Sequence, residues 1–239
     1  MVSLREGAGL TGFACIALIV FSATFMLFPA IDLAVSGLFY TPGSGFALTE
    51  NEGLLALRSV SGAVTAGMAV IAVLMLFSRA VLPRRFGMIR PSHGVFLLST
   101  LAVGPGIAVN GVLKNYWGRA RPLQTLDFGG DWPFTPAWAE VDHCSSNCSF
   151  VSGEASAAFW LVALAFIMPR PLRLPTLVAA LTFATAASIN RIAFGAHYLS
   201  DVVIAWAITL VVVAIGRWIF LDRRRATAID AVFGGPAQP

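Results

Sequence analysis

The chain has 239 residues, of which 57% are hydrophobic and only 12% charged, with a formal net charge of +4. Soluble domains carry about 25% charged residues, so this composition excludes disorder and an ordinary cytosolic globule and points to an integral helical membrane protein. Nor does the positive charge indicate nucleic acid. The basic residues sit in short connections between apolar runs, where inside-facing loops carry them.

A helix needs about 20 apolar residues to cross a hydrocarbon core of about 30 Å. Six such spans are predicted, at about 9–29, 56–78, 93–113, 150–169, 174–192 and 197–220. The fold class is therefore all-α: a polytopic membrane domain over 1–225, followed by a mobile cytoplasmic tail over 226–239. Gly9 to Pro29 is longer than a signal-peptide core of about 7–15 residues, and no small-x-small cleavage site follows, so the first span is expected to be retained.

Orientation follows from the Lys and Arg residues. With the N-terminus inside, Arg5, Arg79, Arg84, Arg85, Arg90, Arg170, Arg173, Arg217, Arg223, Arg224 and Arg225 fall on the inner side, 11 of 16. The others are Arg58, Lys114, Arg119, Arg121 and Arg191, near outer span ends or in outer loops. Glu50, Glu52, Asp127, Asp131, Glu140 and Asp142 also lie outside. The positive-inside rule thus predicts that both termini are cytoplasmic.

Two outer segments are long. Ile31 to Tyr40 is apolar but too short to cross, and is expected to lie along the interface as an amphipathic helix. Residues 114–149 carry Trp117, Trp132, Trp138, Pro122, Pro133 and Pro136 and read as an irregular cap with aromatics at headgroup level. Cys144 and Cys148 flank Ser-Ser-Asn in this cap. An oxidising compartment would allow a disulfide there. A metal site would need more ligands than this pair and His143 supply, so no metal is expected. Cys15 packs within the first span.

Ionisable residues at membrane depth are costly and each needs a reason. Lys114, Arg121, Glu154, Arg191, His197 and Asp201 all fall at outer span ends. Any one of them could snorkel to the headgroups; six on one side call for chemistry. Lys114, Arg121 and Arg191 supply three cations, and guanidinium forks match phosphate oxygens. Ser152 can cap the fourth span, Gly153 allows close backbone approach, and free N–H groups at that helix start suit an anion. His197 and Asp201 are four apart on one helix face, where a carboxylate can orient an imidazole.

These residues form a recognisable pattern. The chain reads Lys114-Asn-Tyr-Trp-Gly-Arg-Ala-Arg121-Pro122, then Val151-Ser152-Gly153-Glu154, then Asn190-Arg191-Ile-Ala-Phe-Gly-Ala-His197-Tyr-Leu-Ser-Asp201. It resembles the K-x6-R-P, P-S-G-H and S-R-x5-H-x3-D motifs of the type-2 phosphatidic acid phosphatase superfamily. The resemblance implies a phosphatase that needs neither metal nor cofactor. Carried over, His197 attacks phosphorus to form a phosphohistidine, Asp201 orients it, and Lys114, Arg121, Ser152, Gly153 and Arg191 hold the phosphate. Val151 and Asn190 depart from the family's proline and serine. Glu154 stands where the family has a histidine acting as general acid. Three neighbouring cations disfavour a protonated carboxyl while burial favours it, so Glu154 is either a substitute acid, an orienter of a cation or water, or the mark of a site that needs no acid.

The length, the 32–40 stretch and the Trp-Gly-Arg-Ala-Arg-Pro run are similar to the superfamily's bacterial lipid A phosphatases. The expected partner is a lipid-borne phosphate (lipid A, or a polyprenyl or phospholipid phosphate) in the bilayer. The expected location is the bacterial inner membrane, with the site facing the periplasm. Two other readings use the same residues: a phosphotransferase with a lipid acceptor, and a non-catalytic lipid-phosphate binding protein.

Overall fold

The computed structural model describes residues 4–78 and 90–233. Arg79, Arg84 and Arg85, counted above to the inner side, lie outside the described residues, as does the end of the tail from 234. The described residues are helical, and their only β pairings are isolated bridges, Thr41 with Gly45 and Thr125 with Trp132. The helices are α1 (Leu4–Leu27), α2 (Ala30–Gly37), α3 (Glu52–Leu76), α4 (Pro91–Tyr116), α5 (Gly153–Ile167), α6 (Arg170–Ala193), α7 (Leu199–Phe220) and α8 (Arg223–Val232).

Local chemistry sets several of these boundaries. Asn51 Oδ1 accepts from Leu54 N at 3.1 Å to cap α3. Pro91 opens α4, where a missing N–H costs nothing. Within α4, Ala102–Leu113 is wound as a π-helix around Pro105. Proline removes a ladder donor and crowds the preceding turn, and Asn110 Nδ2 donates to the Pro105 carbonyl at 2.6 Å. Ser152 caps α5 by accepting from Ala155 N, and Asp222 caps α8 by accepting from Arg224 N.

Among the described residues, five helices are long and apolar enough to cross a bilayer: α1 over Ala8–Leu27, α3, α4, α6 and α7. The span expected at 150–169 is shorter than predicted. It is realised as α5, interrupted by a 3-10 turn at Leu161–Ala163, and at 1.5 Å per residue it extends about 22 Å. Residues 150–152 are not helical; they belong to the irregular connection that builds the site. The short helix is lined with protein: Trp160, Leu161, Val162 and Ala163 are buried, and backbone at membrane depth needs internal bonding, not lipid-facing length.

Small residues bring the helices together, as lipid-embedded packing requires. A Cβ on Gly94 would meet the Ala72 carbonyl, and one on Gly216 would meet Thr100 and Phe96. Polar pairs cross the same core: Trp160 Nε1 donates to Thr100 Oγ1 at 3.0 Å, and Ser156 and Thr209 hydroxyls lie 2.7 Å apart. The outward faces remain apolar, with Phe13, Ile16 and Ile19 of α1 and Val70 and Leu74 of α3 exposed.

Two further segments differ from expectation. Helix α2 falls in the predicted interfacial stretch but turns Asp32 and Ser36 inward, fully buried, because Asp32 has a cationic partner beneath it. The segment after 225, expected as a mobile tail, continues as α8 through Val232, with Ala226 and Asp230 buried. Its anchor is Asp230 Oδ1, which accepts from Ser92 N at 2.9 Å and satisfies a free donor at the start of α4.

The helices thus share two ends. The C-terminal ends of α4 and α6 and the N-terminal ends of α5 and α7 meet at one; the opposite ends of α4, α6 and α7 gather with α8.

Candidate active site

The first of those ends holds every residue that the motifs single out. It is assembled by two irregular connections, 117–152 and 194–198. The first folds back on itself and on the end of α4 through Val141 N to Trp117 O, Cys148 N to Lys114 O and Ser149 N to Arg119 O, at 2.9–3.1 Å, and Leu123 N to Gly195 O at 3.0 Å joins it to the second. Gly118 makes this approach possible. It has φ +65°, and a Cβ there would run into the Val141 carbonyl.

At the centre is His197, in the connection before α7 and 1% exposed. Its Nδ1 lies 2.8 Å from the Ser149 carbonyl oxygen. A carbonyl only accepts, so this bond assigns the proton to Nδ1 and leaves the Nε2 lone pair available. Asp201, expected to orient the ring, is 3.6 Å from Nδ1 and acts one step removed. Its Oδ2 accepts from Ser149 Oγ at 2.5 Å and from Tyr198 N at 2.9 Å, holding both residues that flank the imidazole. Burial pushes His197 down to about 4, although Asp201 works in the opposite sense.

Beneath this pair lies an arginine that the motif spacing treats as filler. Arg119 is 0% exposed. Its Nη1 donates to Asp201 Oδ1 at 2.7 Å and Ser200 Oγ at 2.8 Å, its Nη2 to Asp32 Oδ2 at 2.8 Å, and its Nε to the Thr135 carbonyl at 2.9 Å. The guanidinium also stacks 4.2 Å from the Tyr198 ring centroid. Asp32 in turn accepts from Ser200 N and Oγ. Burial opposes the charge on Arg119, but Asp201 and Asp32 outweigh it and hold the guanidinium above its ordinary value. Sequence reasoning missed both Arg119 and Asp32 as site residues. The available signal was Asp32 itself, a lone carboxylate in an apolar stretch, which demands a buried partner.

The remaining cations are placed differently. Lys114 Nζ donates to Asn147 Oδ1 and Arg121 Nη2 to the Asn147 carbonyl, both at 2.8 Å. Asn147 sits inside the short loop closed by a disulfide between Cys144 and Cys148, so the oxidised form of that pair is the one observed. Burial, then repulsion from Arg58, lowers Arg121 from its ordinary value. Arg191 is 4% exposed, and its Nε and Nη1 have no hydrogen-bond acceptor. Its closest charge partner is Glu154, with Nε 3.4 Å from Oε2. The other oxygen of Glu154 takes the Nε of Arg58, on α3, at 3.1 Å. Arg58 was counted only as an outer charge; here it is the outermost member of the site, half exposed beside Glu154. Lys114, Arg121 and Arg191 all act electrostatically on Glu154 or one another, and Lys114 and Arg191 on His197.

Ser152 and Gly153 join the site at the start of α5. The Ser152 hydroxyl is taken by its capping bond and its N–H by the Asp201 carbonyl. Gly153 has a packing reason for being glycine, because a Cβ there would collide with the Asn110 side chain. Among the described residues, no three His, Cys, Asp or Glu side chains are gathered as a metal site.

The arrangement provides a buried imidazole with a free lone pair, an under-bonded guanidinium beside it, and two further cations at the rim. The PAP2 superfamily matches residues 93–225. The chain is 38% identical over 208 residues to the lipid A 4'-phosphatase of Rhizobium leguminosarum, covering 80% of this chain and 88% of that one. It is 37% identical to the enzyme of the same name from Rhizobium etli, over 80% of both chains. The lipid A 4'-phosphatase of Francisella tularensis subsp. novicida is 31% identical over 75% of this chain and 81% of its own. Among solved structures, a transmembrane PAP2-type phosphatidylglycerolphosphate phosphatase from Bacillus subtilis superposes with a TM-score of 0.57 at 19% identity, over 90% of this chain and 96% of that one, a likeness of fold. With the motifs, the helical membrane architecture and these matches in agreement, the chain belongs to the PAP2 superfamily of membrane phosphatases.

Proposed function

We propose that the protein removes a phosphate from a lipid-borne phosphate, with lipid A as the leading substrate, through a phosphohistidine at His197. The observation that carries this reading is the His197 Nδ1–Ser149 carbonyl bond. It directs the Nε2 lone pair away from the buried Asp201–Arg119 cluster and keeps it available for attack. In the first step Nε2 forms a bond to phosphorus as the ester P–O bond breaks, and the departing oxygen takes a proton. In the second, water attacks phosphorus, the P–N bond breaks, and inorganic phosphate leaves with His197 restored. Arg191, with two unsatisfied donors, and Lys114 and Arg121, held only by Asn147, neutralise the charge that builds on the phosphoryl oxygens.

Glu154 is assigned an orienting role. Both of its oxygens face guanidinium groups, Arg58 and Arg191, so it positions Arg191 and leaves the leaving-group proton to water. A lipid substrate is supported by a cavity of about 400 Å³ beside Glu154, lined by Leu55, Arg58, Ser59 and Gly62 of α3, through which a headgroup can arrive sideways from the bilayer. The lipid A assignment rests on the names of the relatives. The proposed topology retains six membrane-embedded segments, α5 counted as a short one, with both termini cytoplasmic and the site in the periplasm of the inner membrane.

The test is phosphate release by the purified full chain from lipid A, phosphatidylglycerol phosphate and undecaprenyl diphosphate in detergent with EDTA present. Release from lipid A, absent in His197→Ala, is the expected result. Transfer of labelled phosphate to a second lipid would favour the phosphotransferase, and binding without turnover a non-catalytic protein.

A further inference from the structure

The end of the bundle opposite His197 carries a second concentration of positive charge, and it surrounds a cavity. This cavity measures about 620 Å³ and is lined by Arg90, Arg173, Arg217, Arg223 and Arg224. The five come from four places in the chain: the residue before α4, the first turn of α6, the last turn of α7, and the start of α8. Asp222 is the one carboxylate in the wall, and its side chain is engaged in capping α8 at Arg224 N. Among the described residues, no carboxylate lies within ion-pair distance of Arg90, Arg173, Arg223 or Arg224. Along α7, Arg217 lies sixteen positions beyond Asp201, or about 24 Å, so this cavity is distinct from the candidate active site.

Positive charge at inner span ends is ordinary, but scattered loop charges repel one another and spread into solvent. Here they converge. The device that gathers them is α8, folded back against α4 by the buried Asp230–Ser92 bond, which brings Arg223 and Arg224 over the ends of α6 and α7. The walls are partly apolar: Phe166 and Leu221 line the cavity, and Arg217 stacks 4.9 Å from the Phe166 centroid. A volume of this size fits a small-molecule headgroup and exceeds what one phosphate needs.

We propose that this cavity binds the phosphate of an anionic phospholipid headgroup, with the guanidinium forks on the phosphodiester oxygens and the lipid's glycerol region against Phe166 and Leu221. Basic pockets between span ends on the cytoplasmic side recognise such headgroups. A soluble phosphate has the same charge chemistry but no use for the apolar wall or for a position at the ends of three spans. The site is separate from the proposed phosphatase chemistry and stands or falls independently of it.

Native mass spectrometry of the full chain in a neutral detergent tests this, with phosphatidylglycerol, phosphatidylcholine of the same acyl chains, and inorganic phosphate as probes. One phosphatidylglycerol should be retained in preference to phosphatidylcholine. The Arg223→Gln/Arg224→Gln double variant should weaken that retention at least tenfold, since a charge-assisted hydrogen bond contributes about 1.5–3 kcal/mol. Both side chains are exposed, and unchanged phosphate release by the variant reports an intact fold. Thr227→Trp, which fills the cavity and removes no charge, should have the same effect. Equal retention of both lipids, or retention untouched by both variants, would overturn the proposal. So would a bound lipid lost in Arg191→Gln and kept in Arg223→Gln/Arg224→Gln. Inorganic phosphate bound in place of phosphatidylglycerol, with the same sensitivity to the variants, would overturn the lipid source.

Discussion

Arg119 and Arg121 are two residues apart in one loop, yet they belong to different kinds of electrostatic region. Arg119 is sealed beneath the site with two carboxylates, a hydroxyl and a carbonyl on its donors. The Arg121 guanidinium reaches the rim and, among the described residues, donates to a single backbone oxygen, that of Asn147. Arg191 stands between them in accessibility but sides with Arg121, because its Nε and Nη1 have no acceptor. A buried charge needs both compensation and hydrogen bonds. Where these are complete, the charge builds structure; where they are incomplete, a ligand can bring the missing acceptor. The sealed cluster ties α2, the 117–121 loop and the start of α7 together, and in the proposed function the open one is left to meet phosphate.

Arg119→Met should break this comparison most sharply. It strands Asp32 and Asp201 in a buried space without a cation, which costs about 3–5 kcal/mol. Melting of the detergent-solubilised protein should shift far downward and activity should vanish with it. Arg121→Gln should leave the melting temperature nearly unchanged. If the two variants melted alike, the division between a structural and a ligand-facing charge would be wrong.

The next effect is catalytic and leaves stability alone. Removing one unsaturated cation, by Arg191→Gln or Arg121→Gln, deletes charge-assisted bonds of about 1.5–3 kcal/mol, or about 10- to 150-fold in kcat/KM. Glu154→Gln should move in the same direction by a smaller factor and leave the shape of the pH profile unaltered, because the proposed role of Glu154 is to position Arg191. Loss of the alkaline limb in Glu154→Gln would instead make the carboxyl a proton donor.

A pH prediction follows from the burial of His197. In the proposed mechanism the attacking form is the neutral imidazole, and burial lowers the pKa of His197 to about 4. The free enzyme therefore carries the active form at every pH above that value. The acid limb of kcat/KM, which reports the free enzyme, should fall near 4, and not near the ordinary histidine value of about 6.5. An acid limb near 6.5 would mean that water reaches the ring freely.

The spans and the open cluster were legible in the sequence for one physical reason: apolar length and charged residues at span ends are costs that show up residue by residue. Lys114, Arg121, Glu154, Arg191, His197 and Asp201 all come to one end of the bundle. What escaped were relations between segments. Arg119 reads as a loop charge until Asp32, 87 positions away, is known to lie against it. Arg58 reads as an outer-end cation until Glu154 closes on it. The fourth span looked full length because an apolar run cannot by itself distinguish a spanning helix from a short helix buried by its neighbours. The same limit hid α8, whose place depends on one contact between Asp230 and the first turn of α4.

The mildest effect should come from the disulfide. Cys144 and Cys148 are four positions apart, so their bond closes too small a loop to constrain the unfolded chain much. Its value lies in what it encloses, since Asn147 presents its side-chain oxygen to Lys114 and its carbonyl to Arg121. With both cysteines replaced by serine, the two cations should lose their common anchor while their charges remain. Both bonds have a cationic donor, but the cations keep their charge and can turn to water at the rim, so the net loss is about 0.5–1.5 kcal/mol, and KM for the lipid phosphate should rise about 2- to 10-fold, with kcat and the melting temperature nearly constant. Asn147→Ala should reproduce the part that belongs to Lys114, because the backbone bond to Arg121 survives it. The opposite split, a lower melting temperature with KM unchanged, would show that the clip braces the outer cap and leaves the rim cations to position themselves.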